Sequence, residues 1–265
     1  MAEQKYFLGR KSLAILLSPA IVIFSSLPLG LRAAPYPQWK ASLKFPVTDN
    51  IGQPSGGSMG GGTRGSCSVS NQMPLTSLMP IRNPENQRTR LPVNPALTVA
   101  TNPTFFLYVP TTTAQYAEFL VFDAQDNEVY QTTLQFPRVS TSEVSTSGIV
   151  KLSLPANVSL ETGKNYRWVF AVSCMTSDGD ISSNYFVEGW IQRTDLSPDL
   201  KTKIDRATPL EQAKLYAEAR IWSETLTIAA QLRTSKPDEW EELLKSVGLG
   251  AIAQAPFIEY RTPEE

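Results

Sequence analysis

Residues 160–174 read LETGKNYRWVFAVSC, and the second half of this stretch decides the fold. From Tyr166 onward, every second residue is apolar or a cysteine, which is the period of a β-strand with one buried face. The side chains that share this face are Tyr166, Trp168, Phe170, Val172 and Cys174. We therefore predict a strand over residues 166–174 whose inner face, with Cys174 at its end, points into a core.

The first half of the stretch has the form L-x-x-G-x-x-Y, with Leu160, Gly163 and Tyr166 at the named positions. This pattern resembles the tyrosine corner of immunoglobulin-like and fibronectin-type sandwiches, in which the tyrosine hydroxyl bonds to the backbone a few residues upstream. The alternative is an ordinary turn followed by a core tyrosine.

Five further segments are short, contain aromatic and β-branched residues, and are flanked by turn signals. They are residues 104–109, 116–123, 128–136, 148–154 and 185–194. The second and third flank a turn-like tetrad and form a predicted hairpin. Six strands at this spacing predict a mainly β protein with an immunoglobulin-like antiparallel β-sandwich over residues 98–195.

After residue 195 the apolar residues recur with a helical period. We predict an α-helical C-terminal part over residues 196–252 and a tail over 253–265. Thr208, followed by Pro209 and Glu211, is a helix-start signal in which threonine caps the helix and glutamate completes a capping box.

The two helices predicted between residues 208 and 232 form an α-helical hairpin that resembles one tetratricopeptide repeat. The residues at the marked positions of that repeat are Ala213, Tyr216, Leu232 and Pro237. The sequence holds a single copy, whereas an array needs roughly three repeats or more to bury a continuous core. The hairpin is therefore either a cap packed on the sandwich or a place where a partner's repeats dock.

Residues 1–34 have the order of an export signal peptide. The positive charges of Lys5, Arg10 and Lys11 precede an apolar stretch over residues 13–31. The alternative is an uncleaved N-terminal membrane anchor, because the apolar stretch is just long enough to span a bilayer. In both cases we predict an exported protein, periplasmic or extracellular, that contacts a membrane only if this segment is retained.

Residues 35–97 are predicted to be a Pro/Gly-rich extended arm. Within it, residues 55–67 read SGGSMGGGTRGSC and contain the spacing G-x-G-x-x-G. A dinucleotide site needs a strand before this motif and a helix after it, and the sequence predicts neither. We therefore interpret the run as a flexible lead to Cys67 and predict no cofactor.

Cys67 and Cys174 are the only cysteines of the chain. Export would place them in an oxidising compartment, so we predict a disulfide between them. The alternative is a pair of free buried thiols.

Composition excludes some functions and leaves few candidate residues. The chain has no histidine and a net charge of −1, which disfavours histidine-dependent catalysis and a nucleic-acid partner. Asp178 and Asp180 lie in an acidic loop that only weakly resembles a calcium site. Glu188 and Arg193 lie in the last predicted strand, as a functional carboxylate or as members of structural ion pairs.

Several segments together resemble a known family. They are GGGTRGSC, MPLTSLMP, PTFFLYVP, AEFLVFDAQDNEVYQTT, GIVKLSLP, NYRWVFAVSC, YFVEGWIQR and LYAEARIWSETLTIAAQLR, in that order. They resemble an exported cyanobacterial family of unknown function, the domain-of-unknown-function family numbered 928. The resemblance implies a cyanobacterial source and matches Arg64, Cys67 and Cys174 to the family's motifs, but it brings no activity, ligand or catalytic residue.

These observations favour a non-enzymatic protein-binding or adaptor module of the cell envelope, whose partner is another protein. Two alternatives remain open at this point. One is an envelope hydrolase or glycan-acting enzyme that uses carboxylates, and the other is a calcium-stabilised surface module.

Overall fold

The computed structural model describes residues 42–46, 67, 73–80, 94–137, 145–175 and 181–262. All of them belong to one compact unit, Ala41–Glu265. The predictions for the export segment, for the glycine run up to residue 66, for Arg64, and for Asp178 and Asp180 lie outside the described residues. Among the helices that the structure does describe, none has the length and apolar content of a membrane span.

In the described part of the chain, the strands are β1 (Thr76–Ser77), β2 (Ala96–Thr98), β3 (Thr104–Val109), β4 (Tyr116–Phe122), β5 (Glu128–Gln135), β6 (Gly148–Ser153), β7 (Asn165–Met175) and β8 (Ile181–Arg193). The helices are α1 (Pro198–Arg206), α2 (Pro209–Glu218), α3 (Trp222–Leu232) and α4 (Pro237–Ser246), followed by a 3-10 turn, Gly250–Ile252. The six predicted strands and the change to helices after residue 195 are confirmed. The two shortest strands, β1 and β2, were not predicted.

The strands form two sheets, ordered β1-β3-β6 and β2-β8-β7-β4-β5. The sheets pack face to face, since the ring of Phe105 from β3 lies 5.0 Å from Phe119 of β4 and 5.7 Å from Trp168 of β7. The prediction of an antiparallel arrangement is wrong for one pair, because β2 runs parallel to β8. These two strands are far apart in sequence, so no hairpin forces them to run in opposite directions.

The predicted disulfide is confirmed. Cys67 and Cys174 are bonded, with their Cα atoms 5.6 Å apart, and both side chains are buried. The carbonyl oxygen of Cys67 also accepts hydrogen bonds from the Thr112 hydroxyl at 2.8 Å and from the Thr113 N–H at 2.9 Å. Cys67 is thus held between the end of β7 and the loop that follows β3.

Residues 42–46, which belong to the predicted arm, have no regular secondary structure and are part of the compact unit. The N–H of Leu43 donates to Glu239 Oε2 at 2.5 Å and that of Phe45 to Ser246 Oγ at 3.0 Å, so this segment lies against α4. Both apolar side chains are buried, and the ring of Phe45 meets Trp222 edge-on with centroids 4.9 Å apart. Apolar side chains at alternate positions give this short segment a buried face, which overrides its lack of helix or strand pattern.

Residues 73–80 and 94–97, also assigned to the arm, are likewise part of the compact unit. Leu78 is buried, and its carbonyl oxygen accepts a hydrogen bond from the indole N–H of Trp222 at 2.9 Å. Ala96 is buried as the first residue of β2. The helices and the sheets therefore share one core.

Glu224, in the first turn of α3, ties the helices to the end of β2. Its Oε1 atom accepts hydrogen bonds from the Thr98 hydroxyl at 2.7 Å, Val99 N–H at 2.9 Å and Ala100 N–H at 3.0 Å. Burial raises the pKa of Glu224, and these hydrogen bonds act in the opposite direction. The carboxyl group thus serves as the acceptor for a short run of backbone that leaves the sheet.

The predicted tail begins with a segment that binds both sheets, which we call the C-terminal strap (residues 256–261). Ile149 of β6 donates its N–H to the Pro256 carbonyl at 2.7 Å, and the Ile258 N–H donates to the Ile149 carbonyl at 2.9 Å. Five residues after Pro256, Arg261 exchanges two backbone hydrogen bonds with Gln135 of β5, at 2.7 and 3.0 Å. The strap therefore joins the β6 edge of one sheet to the β5 edge of the other.

Candidate functional site

The candidate site is the solvent side of the five-stranded sheet. Side chains alternate along each strand, and Trp168 and Phe170 of β7 are buried, so their neighbours on β7 point away from the core. Pairing with β4 and β8 arranges nine outward side chains in three cross-strand rows, which we call the outer sheet face. The rows are Phe122–Arg167–Trp190, Leu120–Val169–Glu188 and Glu118–Ala171–Phe186.

The composition of the outer sheet face is unusual for a solvated surface. Six of the nine residues are apolar, whereas the solvent side of an antiparallel sheet is usually polar. Phe186 is 49% exposed, and Trp190 and Phe122 are half-buried. Contiguous exposed apolar groups with polar neighbours mark interaction sites on soluble proteins.

Arg167 lies in the first row and is fixed on three sides. Its guanidinium carbon is 4.6 Å from the centroid of the Phe122 ring, within the range of a cation–π interaction. Its Nη2 atom pairs with Asp126 at 2.8 Å, and its Nη1 atom pairs with Glu188 at 3.4 Å. The result is a planar cation held over an aromatic ring between two carboxylates.

The β4–β5 turn places Asp126 beside this cation. Asp126 has a φ of 61°, a left-handed conformation that aspartate tolerates better than most residues. Asp123 fixes the turn because its carboxylate accepts the N–H groups of Gln125 and Asn127 at 2.8 and 2.9 Å. Hydrogen bonds from the side chain and the backbone of Asn127 lower the pKa of Asp123.

Of the two charged candidates in the last strand, the structure places only Glu188 in the outer sheet face. Arg193 lies on the opposite side of β8, where its Nη1 atom donates to the Leu160 carbonyl at 3.0 Å. The Arg193 carbonyl accepts the N–H of Gly163 at 2.7 Å, and Gly163 has a φ of 79°. The Nη1 atom of Arg193 thus has a backbone partner, whereas its buried Nε atom has no hydrogen-bond partner among the described residues.

Tyr166 belongs to the same structural corner as Arg193. The hydroxyl of Tyr166 accepts a hydrogen bond from the Glu161 N–H at 3.0 Å, the upstream bond that the L-x-x-G-x-x-Y pattern predicts. Tyr166 lies near the start of β7, and Cys174 lies near its other end. Neither Tyr166 nor the disulfide contributes a side chain to the outer sheet face.

Arg167, Phe122 and Trp190 were not singled out as functional residues from the sequence. A signal was present in β7, where the positions facing away from the predicted core hold Arg167, Val169 and Ala171. A mostly apolar run on the face expected to be solvated distinguishes this strand from an ordinary half-buried one. Strand pairing was needed to show which residues of β4 and β8 lie beside them.

The chemistry available at the outer sheet face is that of recognition. A stacked guanidinium and exposed aromatic rings suit contact with another surface, as Arg, Trp and Tyr do in many interfaces. A catalytic acid is usually a carboxyl group shielded from water, whereas the Asp126 side chain is 74% exposed. Within the described residues, no three Asp, Glu, His or Cys side chains are grouped so that they would hold a metal ion.

Comparison with known proteins identifies the family. No curated protein and no solved structure matches this chain. The model of the family described as Domain of Unknown Function (DUF928) matches residues 59–257, which include every described strand and helix. This match covers well over half of the chain, and the protein therefore belongs to the DUF928 family.

Proposed function

We propose that this protein is an exported, non-enzymatic protein-binding module of the cyanobacterial cell envelope, and that the outer sheet face is its binding surface. The observation that carries the proposal is the mostly apolar outer sheet face, which has Phe122 and Trp190 on either side of the fixed Arg167 in one row and the exposed Phe186 in another. A partner that covers these rings would gain the free energy of burying apolar area, about 25 cal/mol per Å² before the costs of association.

The proposal also interprets the fold. We infer an immunoglobulin-like sandwich from the two packed sheets and from the Tyr166 hydroxyl bond to the Glu161 backbone. We infer a tetratricopeptide-like hairpin from α2 and α3, in which Ala213 is buried. Because residues 42–46 already lie against α4 and contact α3, the binding surface is assigned to the sheet and not to the helices.

The carboxylate-enzyme alternative has less support from the outer sheet face. Asp126 and Glu188 are both paired with Arg167, Asp126 from the exposed β4–β5 turn and Glu188 from the outer sheet face. Ion pairs on a surface of this kind are typical of recognition and structure, not of a general acid held in a cleft.

The test is partner capture with a charge placed on the proposed surface. The tagged full-length chain is crosslinked and purified from its host beside two variants, Phe186→Glu and Ala156→Glu. Both variants add one negative charge at an exposed position, and Ala156 lies in the turn after β6, on the other sheet.

We expect the same protein partner to be captured by the wild type and by Ala156→Glu and to be lost with Phe186→Glu, whose melting temperature stays near that of the wild type. Equal capture by both variants would show that the outer sheet face is not the binding surface. Turnover of an envelope glycan by the purified wild type would favour the enzyme alternative.

A further inference from the structure

At the end of the outer sheet face that is farthest from Arg167, a gap lies between the side chains of β4 and β8. Ala171 of β7 is opposite Glu118 of β4 on one side and Phe186 of β8 on the other. Neighbouring strands lie about 4.8 Å apart, so the backbones that carry Glu118 and Phe186 are about 10 Å apart, with only a methyl group between them. Ala171 is 8% exposed although it is on the solvent side of the sheet, because the larger side chains beside it rise above it.

Aromatic rings flank this gap, which we call the Ala171 slot and define by Tyr116, Glu118, Ala171, Ser173 and Phe186. Tyr116 and Phe186 are 38% and 49% exposed, and they are two of the three large apolar side chains that are exposed in the described part of the chain. Tyr116 is opposite Ser173, the next residue of β7 on this face. The two rings therefore stand on opposite sides of a floor made of small residues.

The Ala171 slot also contains a carboxylate whose charge is not compensated. Glu118 is half-buried, and it makes no ion pair or hydrogen bond through its side chain with the described residues. The nine residues of the outer sheet face carry two acids, Glu118 and Glu188, and one cation, Arg167. Because Arg167 already pairs with Glu188, the charge that remains for a partner is that of Glu118. A partly desolvated carboxylate is stabilised when a cation that also donates hydrogen bonds lies against it.

The first row of the same face shows how this sheet holds a cation. There Arg167, four residues before Ala171 on β7, has its guanidinium carbon 4.6 Å from the centroid of the Phe122 ring and its Nη1 atom 3.4 Å from Glu188 Oε2. The last row likewise contains an aromatic ring and a carboxylate, but β7 contributes an alanine to it. A cation that enters from outside would complete the last row in the way that Arg167 completes the first.

Resting on the function proposed above, we propose that the protein partner inserts an arginine side chain into the Ala171 slot. The guanidinium plane stacks on the exposed ring of Phe186, and its N–H groups donate to the Glu118 carboxylate. A guanidinium suits this setting better than the ammonium group of lysine, because it is planar, less strongly hydrated and able to stack and to donate hydrogen bonds at the same time. The partner surface therefore presents a cation where the outer sheet face has an unpaired acid, which gives the contact its orientation.

The test is an NMR titration of the isotope-labelled full-length chain with two capped peptides. One has the sequence Gly-Ser-Arg-Ser-Gly, and the other has citrulline, a neutral isostere, in place of arginine. We expect the arginine peptide to shift the amide signals of Glu118, Ala171 and Phe186 saturably, with a dissociation constant in the millimolar range. The citrulline peptide should bind about fivefold more weakly or worse, because it lacks the charge that both contacts need.

Matched variants identify the groups that bind the peptide. Glu118→Gln keeps the shape of the side chain and removes its charge, so it should weaken binding of the arginine peptide by about fivefold. Glu128→Gln makes the same change of charge on β5, opposite Phe122 of the first row, and should leave binding unchanged. Ala171→Arg supplies a guanidinium from within the chain, as Arg167 does in the first row, and should abolish binding of the peptide.

Three results would overturn the proposal: no saturable shift at about 20 mM arginine peptide, equal binding of the two peptides, or full binding of the arginine peptide by Glu118→Gln. The titration does not involve the captured partner, so its failure can be told apart from that of the proposed function. If capture is lost with Phe186→Glu but the two peptides bind equally, the outer sheet face is the binding surface and only the arginine is wrong. If capture is retained with Phe186→Glu, the proposed function itself is wrong.

Discussion

The carboxyl group of Glu224 offers the most direct test of how the helices are held to the sheets. In the variant Glu224→Ala, the Thr98 hydroxyl and the N–H groups of Val99 and Ala100 lose one shared acceptor. A hydrogen bond to a charged group contributes about 1.5–3 kcal/mol. The three bonds share one oxygen, and burial of the charge offsets part of their gain. We therefore expect the free energy of unfolding to fall by about 3 kcal/mol, roughly 150-fold in the equilibrium constant.

The matched variant Glu224→Gln keeps an oxygen acceptor and removes the ionisable group. Because the pKa of Glu224 is raised in the folded state, its protonation favours folding. This contribution is complete below the unfolded-state pKa, about 4.3, and is lost as pH rises through the folded-state pKa. The stability of Glu224→Gln relative to the wild type should therefore increase as pH rises from about 4 through the raised folded-state pKa.

Nearby Tyr216 does not complicate this pH window. Burial raises the pKa of Tyr216, and the negative charge of Glu224 raises it further, so the phenol stays neutral throughout. Urea unfolding followed by tryptophan fluorescence at several pH values measures both effects. Two results would refute the reasoning: a Glu224→Ala variant within about 0.5 kcal/mol of the wild type, or parallel pH profiles for the wild type and Glu224→Gln.

Three further predictions address the strap, the outer sheet face and the disulfide. Gly148→Ala would place a Cβ atom 2.6 Å from the Pro256 carbonyl oxygen. We therefore expect the free energy of unfolding to fall by about 1–3 kcal/mol and hydrogen exchange in the strap to become faster. Unchanged exchange would contradict the close approach. Arg167→Ala should reduce partner capture but change the free energy of unfolding by less than about 1 kcal/mol, because the ion pairs of Arg167 are partly exposed. Arg167→Lys should restore little capture, since lysine lacks the planar guanidinium group. The bridge between Cys67 and Cys174 closes a separation of 107 residues. Replacing both cysteines by serine should lower the free energy of unfolding by about 4–5 kcal/mol in the chain-entropy model, as measured by calorimetry. An unchanged melting temperature would show that the bridge does not stabilise the protein.

The strands and helices could be predicted because their patterns are local. The alternation from Tyr166 to Cys174 reflects a single buried face of one strand. The capping signal at Thr208 involves residues of a single helical turn, in which the Thr208 N–H donates to the Glu211 side chain at 2.9 Å. Neither pattern depends on what the element packs against.

The parts that could not be predicted depend on partners distant in sequence. Residues 42–46 have no regular secondary structure, and only the surfaces of α3 and α4 make them part of the core. The same holds for the outer sheet face, because the sequence does not show that Phe122 and Trp190 lie on either side of Arg167. Strand order and register decide these contacts, and they are properties of the whole fold.

The contacts at the two ends of the described chain also bear on when folding is completed. The Leu43–Glu239 hydrogen bond joins residues 196 positions apart, and the Gln135–Arg261 pair cannot form before Arg261 has been synthesised. A nascent chain therefore cannot make either contact until Glu239 and Arg261 have emerged from the ribosome. Under the export that we propose, this delay leaves the chain open for passage through a membrane channel before these contacts close.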